Sequence, residues 1–418
     1  MKKIFLMVAT IGLVMASCTQ NETDGFNSQN PDVVKFGAAT SRASIANLST
    51  LENDADGFSV YAIANGATDW YSGIDGSTNY RYSSGSWGWT GTPPKWPTTS
   101  SSYPMTFYAV YPPRGTYIAM AVSSDPAIPE IKAGVGIQKD VSAQKDILVA
   151  KATAGAKPTG GILPLTFQHI LSKVDLGIIA GYSTKVNVQK IGIMNVKDSG
   201  EYNFESGWSN LSGKSSYEYF KDYATNFTTA GSSEAEDTAV PFYAGNHSYH
   251  QMLMPQTTSA WDKTAAGLST GAYIEVFYRI KNGDGDYIGY REATKYAEDH
   301  PGYVDGTYKW GDPMYSGITG GSLPYGNRPF YVRVGFPLEV NWVPGKGYTY
   351  NICLGTADST NGYYVDDSYY DEDGFYTGVP IIGADGNPVE KGDPVMDGTI
   401  NFLVKVTEWD DQAATAVQ

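Results

Sequence analysis

Four histidines, two cysteines and scattered carboxylates are the side chains of this 418-residue sequence with chemistry to offer. His247 and His250 stand three apart, a spacing that puts two metal ligands on one helix face. They lead into a run that reads as a strand, however, and residues three apart on a strand face opposite sides. His169 sits among Phe167, Ile170 and Leu171 and reads as a packed core or interface histidine; His300 has no companion. No G-x-S-x-G turn occurs. Gly213-Lys214-Ser215 has the ending of a phosphate-binding loop, but Gly207 lies one residue too far upstream and no apolar strand precedes it. A glycosidase needs two carboxylates brought together in space, and the sequence singles out no pair. The expectation is a non-enzymatic protein with no catalytic residue, cofactor or metal; a surface glycosidase is the enzymatic alternative.

Two clusters offer binding instead. Asp366, Asp367, Asp371, Glu372 and Asp373 supply oxygen ligands for calcium, though not at EF-hand spacing, and a solvated acidic loop is the simpler reading. Tyr80, Tyr82, Trp87, Trp89 and Trp96 offer stacking faces for sugars, or equally buried strand aromatics.

The elements that position these residues are strands. The chain is 41% hydrophobic and 17% charged, with 32 Tyr, 47 Gly and 22 Pro, a composition of strands and turns around a real core. A net charge of −15 excludes nucleic acid as a partner, since phosphates need a basic face. Strand-like runs fall at 33–38, 58–64, 105–111, 146–150, 164–168, 173–180, 186–196, 250–254, 272–281, 330–336, 347–354 and 399–407. Short helices are expected at 217–227 and 290–299. The profile is all-β, with antiparallel β-sandwiches. The strand series pauses around 181–188, which divides a domain at 43–188 from one at 189–418. Residues 282–330 and 355–398 are long Gly-, Tyr- and Asp-rich excursions.

The N-terminus carries an export signal. Lys2 and Lys3 precede an apolar run over residues 4–16 that is too short to span a bilayer. It ends in Val14-Met15-Ala16-Ser17-Cys18, which resembles a lipobox, so residues 1–18 read as a lipoprotein signal with Cys18 lipidated. The expected location is the outer membrane of a Gram-negative cell. No disulfide is expected between Cys18 and Cys353. Polar residues follow as a tether, and 19–42 also contains the first strand-like run, Val33 to Ala38, with Val34, Phe36 and Ala38 on one face.

Several segments, in order along nearly the whole chain, resemble the fimbrillin family of type V pilus subunits. They are Lys95-Trp96-Pro97 with Met105 to Pro112; Asp146 to Ala150 with Pro164 to Val174; Met252 to Gln256; Pro344 to Tyr350; and Ile400 to Trp409. The resemblance implies two consecutive antiparallel β-sandwich domains of transthyretin-like, Greek-key topology. It implies a structural subunit of surface fimbriae, polymerised with other fimbrial subunits and supporting adhesion. A trypsin-like protease would cut between Arg42 and Ala43, removing the first strand. A neighbour's C-terminal strand, within 399–418, would refill the groove. Its apolar face would be Ile400, Phe402, Val404 and Val406. A usable C-terminal strand favours a stalk or accessory subunit over an adhesive tip. The rival from another class is a monomeric outer-membrane lipoprotein that binds surface glycans or proteins and keeps its lipid on Cys18. Asp237-Thr238-Ala239 is similar to an O-glycosylation motif of related bacteria.

Overall fold

The structure is a computed structural model. It describes residues 32–40, 55–65, 67, 69–113, 118–122, 131–180, 185–227, 240–241, 250–265, 268, 270–281, 287–288, 331–354, 362–370, 376–381, 388–395 and 402–408. Regular structure there is all β, apart from three single-turn 3₁₀ segments.

The first sheet has seven strands. They are β1 (Lys35–Thr40), β2 (Phe58–Ile63), β3 (Asp75–Ser83), β4 (Ser86–Trp89), β5 (Met105–Tyr111), β8 (Leu148–Ala154) and β9 (Ile162–His169), in the order β1-β9-β8-β5-β2-β3-β4. Along β9, Leu163, Leu165, Phe167 and His169 are buried and alternate with less buried neighbours, the period-2 pattern of a strand with one core face. Between β3 and β4 the turn residues Ser84 and Gly85 have φ of 54° and 82°, the left-handed pair that a tight two-residue hairpin requires. Val34 and Phe36 share one core with Tyr80 on β3 and with half-buried Trp89 on β4, so the sheet curls until its two ends meet. A smaller sheet, β13 (Gly207–Ser212), β12 (Ser199–Asn203), β7 (Ile131–Gly136) and β6 (Ile118–Val122), contributes Val135 and Tyr202 to a further cluster with Val110 and Val149.

Two more sheets share the second core. One orders β15 (Val240–Pro241), β10 (Ser172–Ala180), β22 (Lys346–Leu354) and β26 (Phe402–Glu408), with β16 (Gln251–Leu253) also on β10. The other orders β14 (Ser215–Phe227), β11 (Lys185–Val196), β18 (Tyr273–Lys281), β20 (Val332–Pro337) and β23 (Tyr363–Tyr364), with β19 (Tyr287–Ile288) on β18. Val174, Leu176 and Ile352 from the first meet Ile191, Val276 and Val334 from the second. Two ribbons, β17 (Thr257–Thr258) with β21 (Val340–Asn341) and β24 (Ser368–Tyr370) with β25 (Tyr376–Pro380), complete the strands.

Two details differ from the sequence reading. Residues 217–227 form β14, not a helix, because they ladder along β11 and bury Tyr217 completely. Two pairings, β1 with β9 and β10 with β22, run parallel within otherwise antiparallel sheets. The chain passes from the first core to the second at Ile170 and Leu171, while residue 188 lies inside β11. That passage is itself buried: Trp208 Nε1 donates to Ile170 O at 2.6 Å and Gly345 N–H donates to Leu171 O at 2.9 Å. The run 290–299 lies outside the described residues.

Candidate functional site

The first strand is gripped from both flanks. On one, β1 runs parallel to β9 from Lys35 opposite Ile162 to Thr40 opposite Phe167. On the other, Val33 bridges Lys95, Val34 N–H donates to Pro94 O at 2.9 Å, and Trp96 N–H donates to Asp32 O at 2.8 Å. Farther along, side chains do what a strand would do. Trp89 Nε1 donates to Val34 O at 2.8 Å. The Tyr80 hydroxyl accepts the Phe36 N–H at 3.2 Å and donates to Phe36 O at 3.3 Å. Residues 32–36 therefore join the two ends of the curled sheet, and β1 is the seam.

The seam is apolar beneath. Val34 and Phe36 are fully buried. The Phe36 ring meets Tyr80, Trp89 and Phe107 edge-on, with centroids at 5.2, 5.8 and 5.5 Å, the favoured aromatic geometry. Burial pushes the Tyr80 phenol up to about 12, so it stays neutral and can both donate and accept. Trp96 anchors the facing segment through Nε1 to Gly161 O at 3.0 Å. At the outer end Lys157 pairs with Asp32 at 2.6 Å and holds that carboxyl below its usual range. Of the aromatics weighed as sugar platforms, Tyr80 and Trp96 are core, and Trp87 and Trp89 are half-buried against it.

A fimbrillin-like family model matches residues 41–365, most of the chain. The chain belongs to the fimbrillin-like family. Membership supports a fimbrial, cell-adhesion role at the cell surface in company with other fimbrial subunits, and fits a structural rather than an enzymatic protein. This fimbrillin-like chain is also similar to a candidate cell-adhesion protein of Bacteroides uniformis, at 12% identity and TM-score 0.39 over 91% of this chain and 98% of that one. A second, from Parabacteroides distasonis, gives 8% identity and TM-score 0.39 over 91% and 100%. No curated protein matches.

The remaining predicted residues are dispersed. Phe402, Val404 and Val406 lie on β26, the end strand of its sheet among the described residues, opposite Ile352, Tyr350 and Tyr348 of β22. Ala38 pairs with Leu165 in β1. Cys18, Arg42, Ala43, Ile400, His247, His300, Asp237 to Ala239 and Asp371 to Asp373 lie outside the described residues. His169 is buried with Nδ1 2.5 Å from Asp146, and His250 Nδ1 is 2.6 Å from Asp175. Asp366 is committed to Arg333 and to the Tyr370 hydroxyl. Cys353 is buried. The alternation of Val34 and Phe36 was readable in sequence. Tyr80 and Trp89 as closing partners were not, because each acts through a side-chain hydrogen bond from a distant hairpin.

Proposed function

We propose that this chain is a structural subunit of surface fimbriae, exported as a lipoprotein on Cys18, matured by a trypsin-like cut after Arg42 and polymerised by donor-strand exchange. Its two sandwiches would be of the transthyretin-like kind, its partners other fimbrial subunits. The observation that carries the reading is the seam. β1 ends at Thr40, two residues before Arg42, and residues 32–36 have hydrogen-bond partners on both flanks. Removing such a strand leaves an apolar slot with unsatisfied donors and acceptors along both walls. Buried backbone groups without partners are costly, so the vacated slot demands another strand. Val34 and Phe36 together contribute roughly 3–6 kcal/mol by burial, a gain that an incoming strand would restore. Strand addition with alternate side chains in pockets is a general mode of recognition.

Limited trypsin treatment of the purified precursor tests this. The expected product begins at Ala43 and forms SDS-resistant ladders, whereas Arg42→Ala stays full-length and monomeric. Ladders of equal strength from Arg42→Ala would overturn the proposal.

A further inference from the structure

The slot also specifies its occupant, an argument that rests on the exchange reading above. Two adjoining sites lie two residues apart along β1: one closed over an aliphatic side chain, Val34, the next over an aromatic one, Phe36. The aromatic site is walled by Tyr80, Trp89 and Phe107. The groups that close the outer flank, the Tyr80 hydroxyl and Trp89 Nε1, bond only to backbone atoms. They ask nothing of the side-chain type, so selection falls to the two sites beneath. Given that exchange, we infer that the C-terminal strand of a second copy of this chain is held in one register, with Ile400 in the place of Val34 and Phe402 in the place of Phe36.

The sequence of the donor carries the match. Ile400-Asn401-Phe402 repeats the order aliphatic, any, aromatic, and Val404 and Val406 continue the same face. The other aromatic of the C-terminal segment, Trp409, has Thr407 two residues before it. A slip of two residues puts Val404 or Ile400 in the aromatic site and leaves it underfilled. A slip of one turns Asn401, Leu403 and Lys405 inward. Gly37, which Leu403 would replace, poses no obstacle: a Cβ there would meet Ile162 at 3.5 Å, ordinary contact. The donor is also placed to leave. Among the described residues β26 has one hydrogen-bonded neighbour, β22, whereas the slot offers partners on two flanks.

Register is read by disulfide trapping in trypsin-matured polymers, in a Cys353→Ala background. Gly37 lies opposite Pro164, Lys35 opposite Ile162 and Ala39 opposite Thr166. Leu403→Cys is combined in turn with Pro164→Cys, Ile162→Cys and Thr166→Cys. Underfilling the aromatic site disfavours the slipped registers by roughly tenfold or more. Leu403→Cys with Pro164→Cys should therefore give reducible inter-subunit dimers at least about tenfold above either other pair. Ladders that form but cross-link through Ile162→Cys or Thr166→Cys, or through none, overturn the register and leave exchange standing. A Cys353→Ala parent that is cut at Arg42 and makes no ladder overturns exchange, and the register with it.

Discussion

The two cores of this molecule are held by different chemistry. The first is closed by aromatic packing and by backbone hydrogen bonds that an indole and a phenol complete; its lysine ion pairs, Lys157 with Asp32 and Lys151 with Glu205, sit at the surface, and the buried pair of His169 with Asp146 lies past the end of the β1–β9 ladder. The second is backed by buried charge on the reverse face of its β11–β18–β20 sheet, opposite the face that carries Ile274, Val276 and Tyr278 into the core. Glu275, 1% exposed, pairs with Arg333 at 2.6 Å and has Lys190 3.7 Å away, and both cations lie over the Phe277 ring. Arg333 reaches on to Asp366 at 3.5 Å, and Asp366 takes the Tyr370 hydroxyl. A seam lined with neutral groups can open without stranding an ion in low dielectric. A buried charge network cannot, since each lost partner leaves an uncompensated charge. The first core thus suits the strand exchange proposed above, whereas the second holds one pairing of β11, β18 and β20.

The sharpest way to break this contrast is Glu275→Ala. It leaves Arg333 and Lys190 without their buried counter-ion and should cost about 3–5 kcal/mol. The expected readout is a lowered melt for the second core, with trypsin conversion at Arg42 unchanged. A null effect would mean that the charges are solvated and the contrast is false. Phe36→Ala addresses the other side and should cost about 3 kcal/mol, by emptying the aromatic site beneath the seam. Amide exchange should rise along β1 and β9 while β11 and β18 keep their protection. Equal loss of protection in both cores would show that the seam is not a local element.

Much of this architecture was legible in the sequence, and the exceptions have physical causes. Each of the strand-like runs overlaps a strand, because each carries apolar residues on a face that a core must bury. The hairpin β3–β4 and the pair β12–β13 escaped notice, since their residues are Ser-, Gly- and Asn-rich and largely half-buried or exposed. Such strands are fixed by turns and ladders rather than by hydrophobic period. In β14 the aromatics at 217, 219, 220 and 223 satisfy helical and strand spacing alike, and the long ladder with β11 decides between them. At the candidate site the occupant was visible and its clasp was not. Val34 and Phe36 announce a buried face, but nothing in the local pattern at Tyr80 or Trp89 says that their polar atoms will reach a strand more than forty residues upstream.

The smallest expected effect refines the contrast through pH. Asp366 is largely buried, and desolvation raises its carboxyl above the ordinary range despite the bonds from Tyr370 and Arg333. A carboxyl whose folded value lies above its unfolded value contributes stability that is fully present below the unfolded value, near 4, and is lost as pH rises through the folded one. Asp366→Asn has no such titration, yet keeps an acceptor for the Tyr370 hydroxyl. The difference in second-core stability between wild type and Asp366→Asn should therefore shift against wild type as pH climbs from about 4 through the weakly acidic range. The comparison cancels the surface carboxylates, including Asp32 and Asp262, whose lowered values act in the opposite sense. Paired thermal melts across that range provide the measurement. A difference that stays flat with pH would place Asp366 in contact with water, so that the buried charge of the second core would reduce to Glu275 with its two cations.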